Sequence, residues 1–155
     1  MREPLADAGP TAERPPFRFS ARCRVEIADT DLGGVVYYGR YAHLIDRAIL
    51  AHRRHLGIPG LGPDGHLFVV RSLSVEYRAS AAFDDEVETF VRVASVGRSS
   101  HVVEARLERI GDRPEHLVDA RAVIVGVQDY SGRPTRIPEA MRGAIAAFEG
   151  IGAGG

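Results

Sequence analysis

The 155-residue sequence contains one cysteine, Cys23. No disulfide can close within the chain, and no multi-cysteine metal site can form. Net charge is also scarce, at −1 from 20 basic and 21 acidic residues. That balance argues against a protein that tracks nucleic-acid phosphates. The basic residues are scattered, and the adjacent Arg53 and Arg54 read as a solvated helix face. Long apolar runs are missing too. Nothing approaches the ~20 residues of a membrane span, and the opening MREPLADAGPTAERPP has no apolar core of signal-peptide length. No membrane partner is expected, and the cytoplasm is the expected location. The G-x-S-x-G elbow of serine hydrolases is absent as well.

What is present suits one globular domain. Hydrophobic residues make up 45% and charged residues 26% of the chain, enough to bury a core without staples. Residues 1–16 are rich in Pro, Ala and charge without periodicity and read as a mobile tail. Residues 17–149 form the domain, and 150–155 read as a loose C-terminus. FRFSARCRVEI (17–27) alternates strictly, with Phe17, Phe19, Ala21, Cys23, Val25 and Ile27 on one face, as a half-buried strand does. Cys23 then reads as a small core residue. Residues 40–56 carry Tyr41, Leu44, Ile45, Ala48, Ile49 and His52 at helical spacing, and Gly57 and Pro59 stop the helix. Four strand-like runs follow at 68–78, 86–96, 101–110 and 117–127, joined by short turns that imply antiparallel neighbours. A short helix opening at Pro138 closes the domain. One long apolar helix needs cover, and a curved antiparallel sheet of five strands wrapped around it supplies that cover. The fold class is α+β.

Three segments invite a chemical reading. Asp29 and Asp31 before Gly33 and Gly34 open like a calcium loop, but position 12 is Arg40 instead of Glu and no helix precedes Asp29. GLGPDG (60–65) spells a dinucleotide fingerprint in the wrong context, after a helix and before a strand, and reads as a loop. His52 and His55 lack a third ligand, so no metal site is expected. The position of ADTDLGGVVYYGRY (28–41) is more informative, because it joins a strand to a helix. Gly33 and Gly34 allow close backbone approach. Amides near Tyr38 and Gly39 open the helix, where N–H groups and partial positive charge would meet a carbonyl oxygen. A carboxylate just upstream could attack that carbonyl or activate water. Spacing alone leaves a second reading, in which both acids merely cap a turn.

VEIADTDLGGVVYYGRYAHLIDRA resembles the acyl-CoA thioesterases of the 4-hydroxybenzoyl-CoA thioesterase type, which have the hotdog fold. Asp29, Asp31, Gly34, Val36, Tyr38, Tyr41 and Asp46 fall in register with that signature, and VEYRASAAFDDEVE resembles a later strand of the family. The resemblance implies Asp31 as catalytic nucleophile or general base. It implies the Tyr38 amide as the donor that polarises the thioester carbonyl, a role indifferent to the His that many relatives carry there. Asp29 would be structural. Gly34, Val36, Tyr37, Tyr41 and Asp46 would bind substrate, with the acyl group between helix and sheet near Tyr37 and Tyr41 and with Asp46 close to its pocket. Arg98, Ser99 and Ser100 would occupy a turn that serves a neighbouring subunit's site or a CoA phosphate. CoA would be a leaving group, with no metal or redox cofactor. A homodimer or homotetramer is implied, because such domains join sheets in pairs. An acyl carrier protein thioester is the nearest alternative substrate, and a non-catalytic acyl-CoA-binding module is the other. A hydratase would need a D-x-x-x-x-H dyad, which is not visible near the helix.

Overall fold

A computed structural model describes residues 8–58 and 66–152. Residues 1–7 of the expected tail, the GLGPDG loop and residues 153–155 lie outside the described residues. The elements in chain order are β1 (Ala8–Pro10), β2 (Phe19–Arg24), α1 (Arg40–His55), β3 (Leu67–Tyr77), β4 (Glu86–Val96), β5 (Ser100–Arg109), β6 (Glu115–Val127) and α2 (Glu139–Glu149). One antiparallel sheet runs in the order β1-β2-β4-β5-β6-β3. The expected five strands are therefore joined by a sixth from within the segment read as a tail. Ala8–Pro10 pairs with Phe19–Ala21, and Arg14 ties the same segment to Glu108.

The expected first strand is shorter than its alternation. It ends at Arg24, and a 3-10 turn over Ile27–Asp29 turns the chain away, leaving Ile27 exposed. Phe19 and Val25 are buried, and Cys23 packs against the core, where burial pushes its thiol pKa up.

All six α1 residues at helical spacing are buried. They face the sheet, mainly β2 and β4, with β1 alongside. Register shifts at Val70/Ser72 and Val93/Ser95 mark bulges, which bend and twist a sheet locally. Strand β6 lies between β5 and β3, and its last four residues, Ile124–Val127, are all buried. Strand β3 is an edge, paired on one side by β6 and exposed at Val69, Val70, Leu73 and Tyr77. Helix α2 packs on β4, and its Phe148 ring contacts Phe19, His52 and His55. The two helix histidines thus serve aromatic packing. Among the described residues no group of three His, Cys, Asp or Glu side chains could hold a metal ion.

Candidate active site

The segment between β2 and α1 is a tight hairpin. Thr30 bridges Val36, the Asp31 amide donates to the Val35 carbonyl (3.0 Å), and the Gly34 amide donates to the Asp31 carbonyl (3.0 Å). Gly34 takes φ +77°, a left-handed conformation in which a side chain would be strained. The hairpin is pinned to the loop before β4: the Val36 amide donates to Ala81 O, the Phe83 amide donates to Gly34 O, and the Ala81 amide donates to the Tyr41 hydroxyl at 2.9 Å. Val36 and Tyr41 are both buried, so they support the segment from beneath.

The two acids diverge within this frame. Asp29 is buried and accepts bonds from the Glu26 amide (2.8 Å) and Arg40 Nε (2.7 Å). Burial pushes its pKa up, but the Glu26 amide and the Arg40 guanidinium outweigh burial and leave it below the ordinary carboxylate range. Asp31 is exposed, and only its Oδ1 is held, by the Gly33 amide at 2.8 Å.

Seven residues after Asp31, the Tyr38 and Gly39 amides have no acceptor among the described residues. Their directions are nevertheless set. A trans peptide is planar, so fixing a carbonyl fixes the N–H of the next residue. The Tyr37 carbonyl accepts from the Arg40 amide (2.8 Å), which orients the Tyr38 N–H. The Tyr38 carbonyl accepts from the Tyr77 hydroxyl (2.9 Å), which orients the Gly39 N–H. Tyr37 and Tyr38 are exposed and their rings meet at a tilt of 47°, with centroids 4.5 Å apart. An exposed carboxylate, two pre-aimed free amides and a helix start make an anion-stabilising corner suited to acyl transfer.

Asp46 lies two turns into α1, where with His43 it lines a cavity of ≈ 370 Å³ between the helix and β3 and β6. Arg98, Ser99 and Ser100 are elsewhere. They form the β4–β5 turn, at the far end of a strand whose eleven residues span ~35 Å from the hairpin side. There the Arg142 guanidinium, buried on α2, donates to the carbonyls of Gly97 (2.6 Å) and Arg98 (3.0 Å), and the Gly126 amide donates to Ser99 O. The structure sets Asp31, Gly34, Tyr37 and Tyr38 on one hairpin that leads into α1 and leaves the 98–100 turn apart from them within one chain.

Sequence reasoning missed Tyr77, which acts on the site through one hydrogen bond, and Arg40, which acts through two. It also misread Arg53. That guanidinium does not face solvent: it lies over the Phe68 ring, 4.8 Å from its centroid, and is half-buried in the cavity wall. A stripe at 42, 46, 49 and 53 is the signal that separates it from the exposed Arg54.

Residues 33–115, which contain Gly34, Tyr38, α1 and β3–β5, match the model of the thioesterase superfamily. The chain belongs to the thioesterase superfamily. It is 32% identical over 136 residues to the acyl-CoA thioester hydrolase YbgC of Escherichia coli, covering 86% of this chain and 96% of that one. A thioesterase-superfamily structure from Jannaschia superposes with a TM-score of 0.83 at 22% identity, covering 97% of this chain and 98% of that one, and so shares the hotdog fold. A Thermus thermophilus thioesterase solved with coenzyme A and zinc has a TM-score of 0.68 at 31% identity, covering 84% of this chain and 95% of that one. This superfamily member thus matches its relatives over most of their length.

Proposed function

We propose that this thioesterase hydrolyses acyl-CoA to the free acid and CoA at the corner between Asp31 and the start of α1. The observation that carries the reading is the pair of oriented amides at Tyr38 and Gly39, without acceptors among the described residues, on the same hairpin segment as the exposed carboxylate of Asp31. The thioester carbonyl oxygen accepts from these amides, and charge that develops on it is met by donors already in place. Asp31 then acts in one of two ways. As a base it takes a proton from water, hydroxide adds to the carbonyl carbon, the C–S bond breaks, and the proton passes to the CoA sulfur. As a nucleophile its oxygen displaces CoA to give an anhydride, which water opens to regenerate the carboxylate. Neither route needs a cofactor. The E. coli relative's name supports CoA over a carrier protein as the handle.

We further infer a homo-oligomer joined at β3. An eleven-residue edge strand that exposes Val69, Val70, Leu73 and Tyr77 is a template for another strand, and a second copy covers it. A cytoplasmic location suits an unpaired cysteine. The primary test is thiol release from a panel of acyl-CoAs, wild type against Asp31→Asn. A fall of about a hundredfold or more in kcat supports the mechanism, and turnover indifferent to Asp31 overturns it. Single turnover in H₂¹⁸O then tests the anhydride, since label in the Asp31 carboxylate requires an anhydride that water opens at the Asp31 carbonyl, while label in the product alone fits the base route or opening at the acyl carbonyl.

A further inference from the structure

The cavity beside α1 occupies part of a seam between the helix and β3 that has two marked ends. Its helix wall is the stripe Ala42, Asp46, Ile49 and Arg53, and its sheet wall includes Leu73 and Phe68. Strand β3 runs antiparallel to this stripe. Four residues beyond Leu73 along β3, outside the cavity lining, Tyr77 bonds Tyr38 and its ring contacts Tyr41 (5.6 Å), which continues the seam between helix and strand to the carbonyl corner. At the other end Arg53 covers Phe68, and the buried His101 ring stands edge-on to Phe68 at 5.8 Å. Both walls therefore lead from the reacting carbonyl to one guanidinium.

That guanidinium has no carboxylate within ion-pair distance among the described residues. Burial pushes its pKa down, partly offset by the charge of Asp46, which stands seven residues earlier and so about 10 Å back along the helix. An arginine remains charged under such pressure, and a half-buried fork of donors facing a groove is built to meet an oxyanion. The other ionisable groups in the groove wall are His43 and Asp46, both nearer the entrance.

We propose that Arg53 is a specificity residue that receives a carboxylate at the far terminus of the acyl chain, so that the substrate class is the long-chain dicarboxylic acyl-CoA. This rests on the reading that the thioester carbonyl sits at the Tyr38 and Gly39 amides. From Gly39 to Arg53 the helix rises ~21 Å, and the arginine side chain leans back toward the helix start by several ångströms. An extended chain advances ~1.2 Å per bond, so an acyl group of roughly 12 to 16 carbons spans the remainder. Asp46 sets a lower limit: a diacid of roughly half that length puts its carboxylate beside a like charge.

The test compares kcat/KM of wild type, Arg53→Met and Arg53→Lys on tetradecanedioyl-CoA, tetradecanoyl-CoA, hexanedioyl-CoA and butanoyl-CoA. Wild type should favour the long diacid over tetradecanoyl-CoA by about tenfold or more. Arg53→Met should abolish that preference and Arg53→Lys keep part of it, with butanoyl-CoA turnover unchanged in both. Hexanedioyl-CoA should be the poorest substrate for wild type. A wild type that does not distinguish the two long chains overturns the proposal. So does an Arg53→Met effect equal on all four thioesters, which would place Arg53 on the shared CoA portion or in the fold. If nothing is hydrolysed, the hydrolase reading fails separately. Calorimetric binding of the two long thioesters to wild type and Arg53→Met then decides, since only carboxylate-dependent binding that requires Arg53 upholds the proposal.

Discussion

Asp29 and Asp31 stand two residues apart and share almost nothing in environment. Both oxygens of Asp29 are engaged, by the Glu26 amide and Arg40, while Asp31 is exposed with one oxygen held by the Gly33 amide. Exchanging each for asparagine should therefore separate stability from chemistry. Asp31→Asn keeps an acceptor for Gly33 and should melt like wild type while kcat falls by about 10² or more. Asp29→Asn should lower unfolding free energy by about 1–3 kcal/mol, because it leaves buried groups and Arg40 imperfectly paired. Urea titration alongside thiol-release kinetics reads both. A loss of stability in the first variant, with activity restored by cooling, would assign Asp31 to the fold.

Tyr77→Phe removes one hydroxyl and with it the tether on the Tyr38 carbonyl. A hydrogen bond of this kind is worth about 0.5–1.5 kcal/mol, so kcat should fall by roughly two- to tenfold with the melting temperature little changed. Unchanged kcat would show that the Gly39 amide keeps its direction without help.

His52 and His101 are buried, with pKa values lowered by burial to about 4 and about 3, and His52 Nε2 and His101 Nδ1 lack hydrogen-bond partners among the described residues. His52 Nε2 lies 3.4 Å from Glu149 Oε1, but at neutral pH the imidazole is uncharged and the contact is no ion pair. For both rings the unfolded chain takes up protons first as pH falls. Their contribution to stability is complete above pH ~6.5 and is lost on the way down to about pH 4 and 3, at up to ~1.4 kcal/mol per pH unit for each ring. Glu149, its pKa raised by burial, opposes this in the acid range by favouring the protonated fold. Denaturation midpoints measured between pH 4 and 7 should fall toward acid, and His101→Asn should flatten the slope.

A lysine at Val69 would place charge on the open edge of β3. Sedimentation should then show the mass of one chain where wild type shows two or more. Equal masses would move the oligomer interface elsewhere.

The long elements were legible because each carries its own period. The strand expected at 86–96 and the helical spacing of 41–52 survive in the structure, although Val87–Val91 are buried on both faces of β4 and so do not alternate. Ala8–Pro10 was not legible: three residues carry no period, and their strand exists only because the outer edge of β2 offers partners. At the site, Asp31 and Tyr38 were reached through a local signature on one continuous segment. Arg53 was hidden by its neighbour Arg54, since adjacent identical residues on a helix point about 100° apart and only the fold shows which one turns inward. Tyr77 and the 98–100 turn depend on which strand ends meet, and that is a property of topology.

The Arg142 tie has a consequence for how this protein can change. Arg142 grips the β4–β5 turn by main-chain oxygens, those of Gly97 and Arg98. Such a grip is blind to side-chain identity. Side-chain exchanges at residues 98 and 99 should therefore leave the course of the loop unchanged, so that the turn's shape and its surface chemistry can be altered separately.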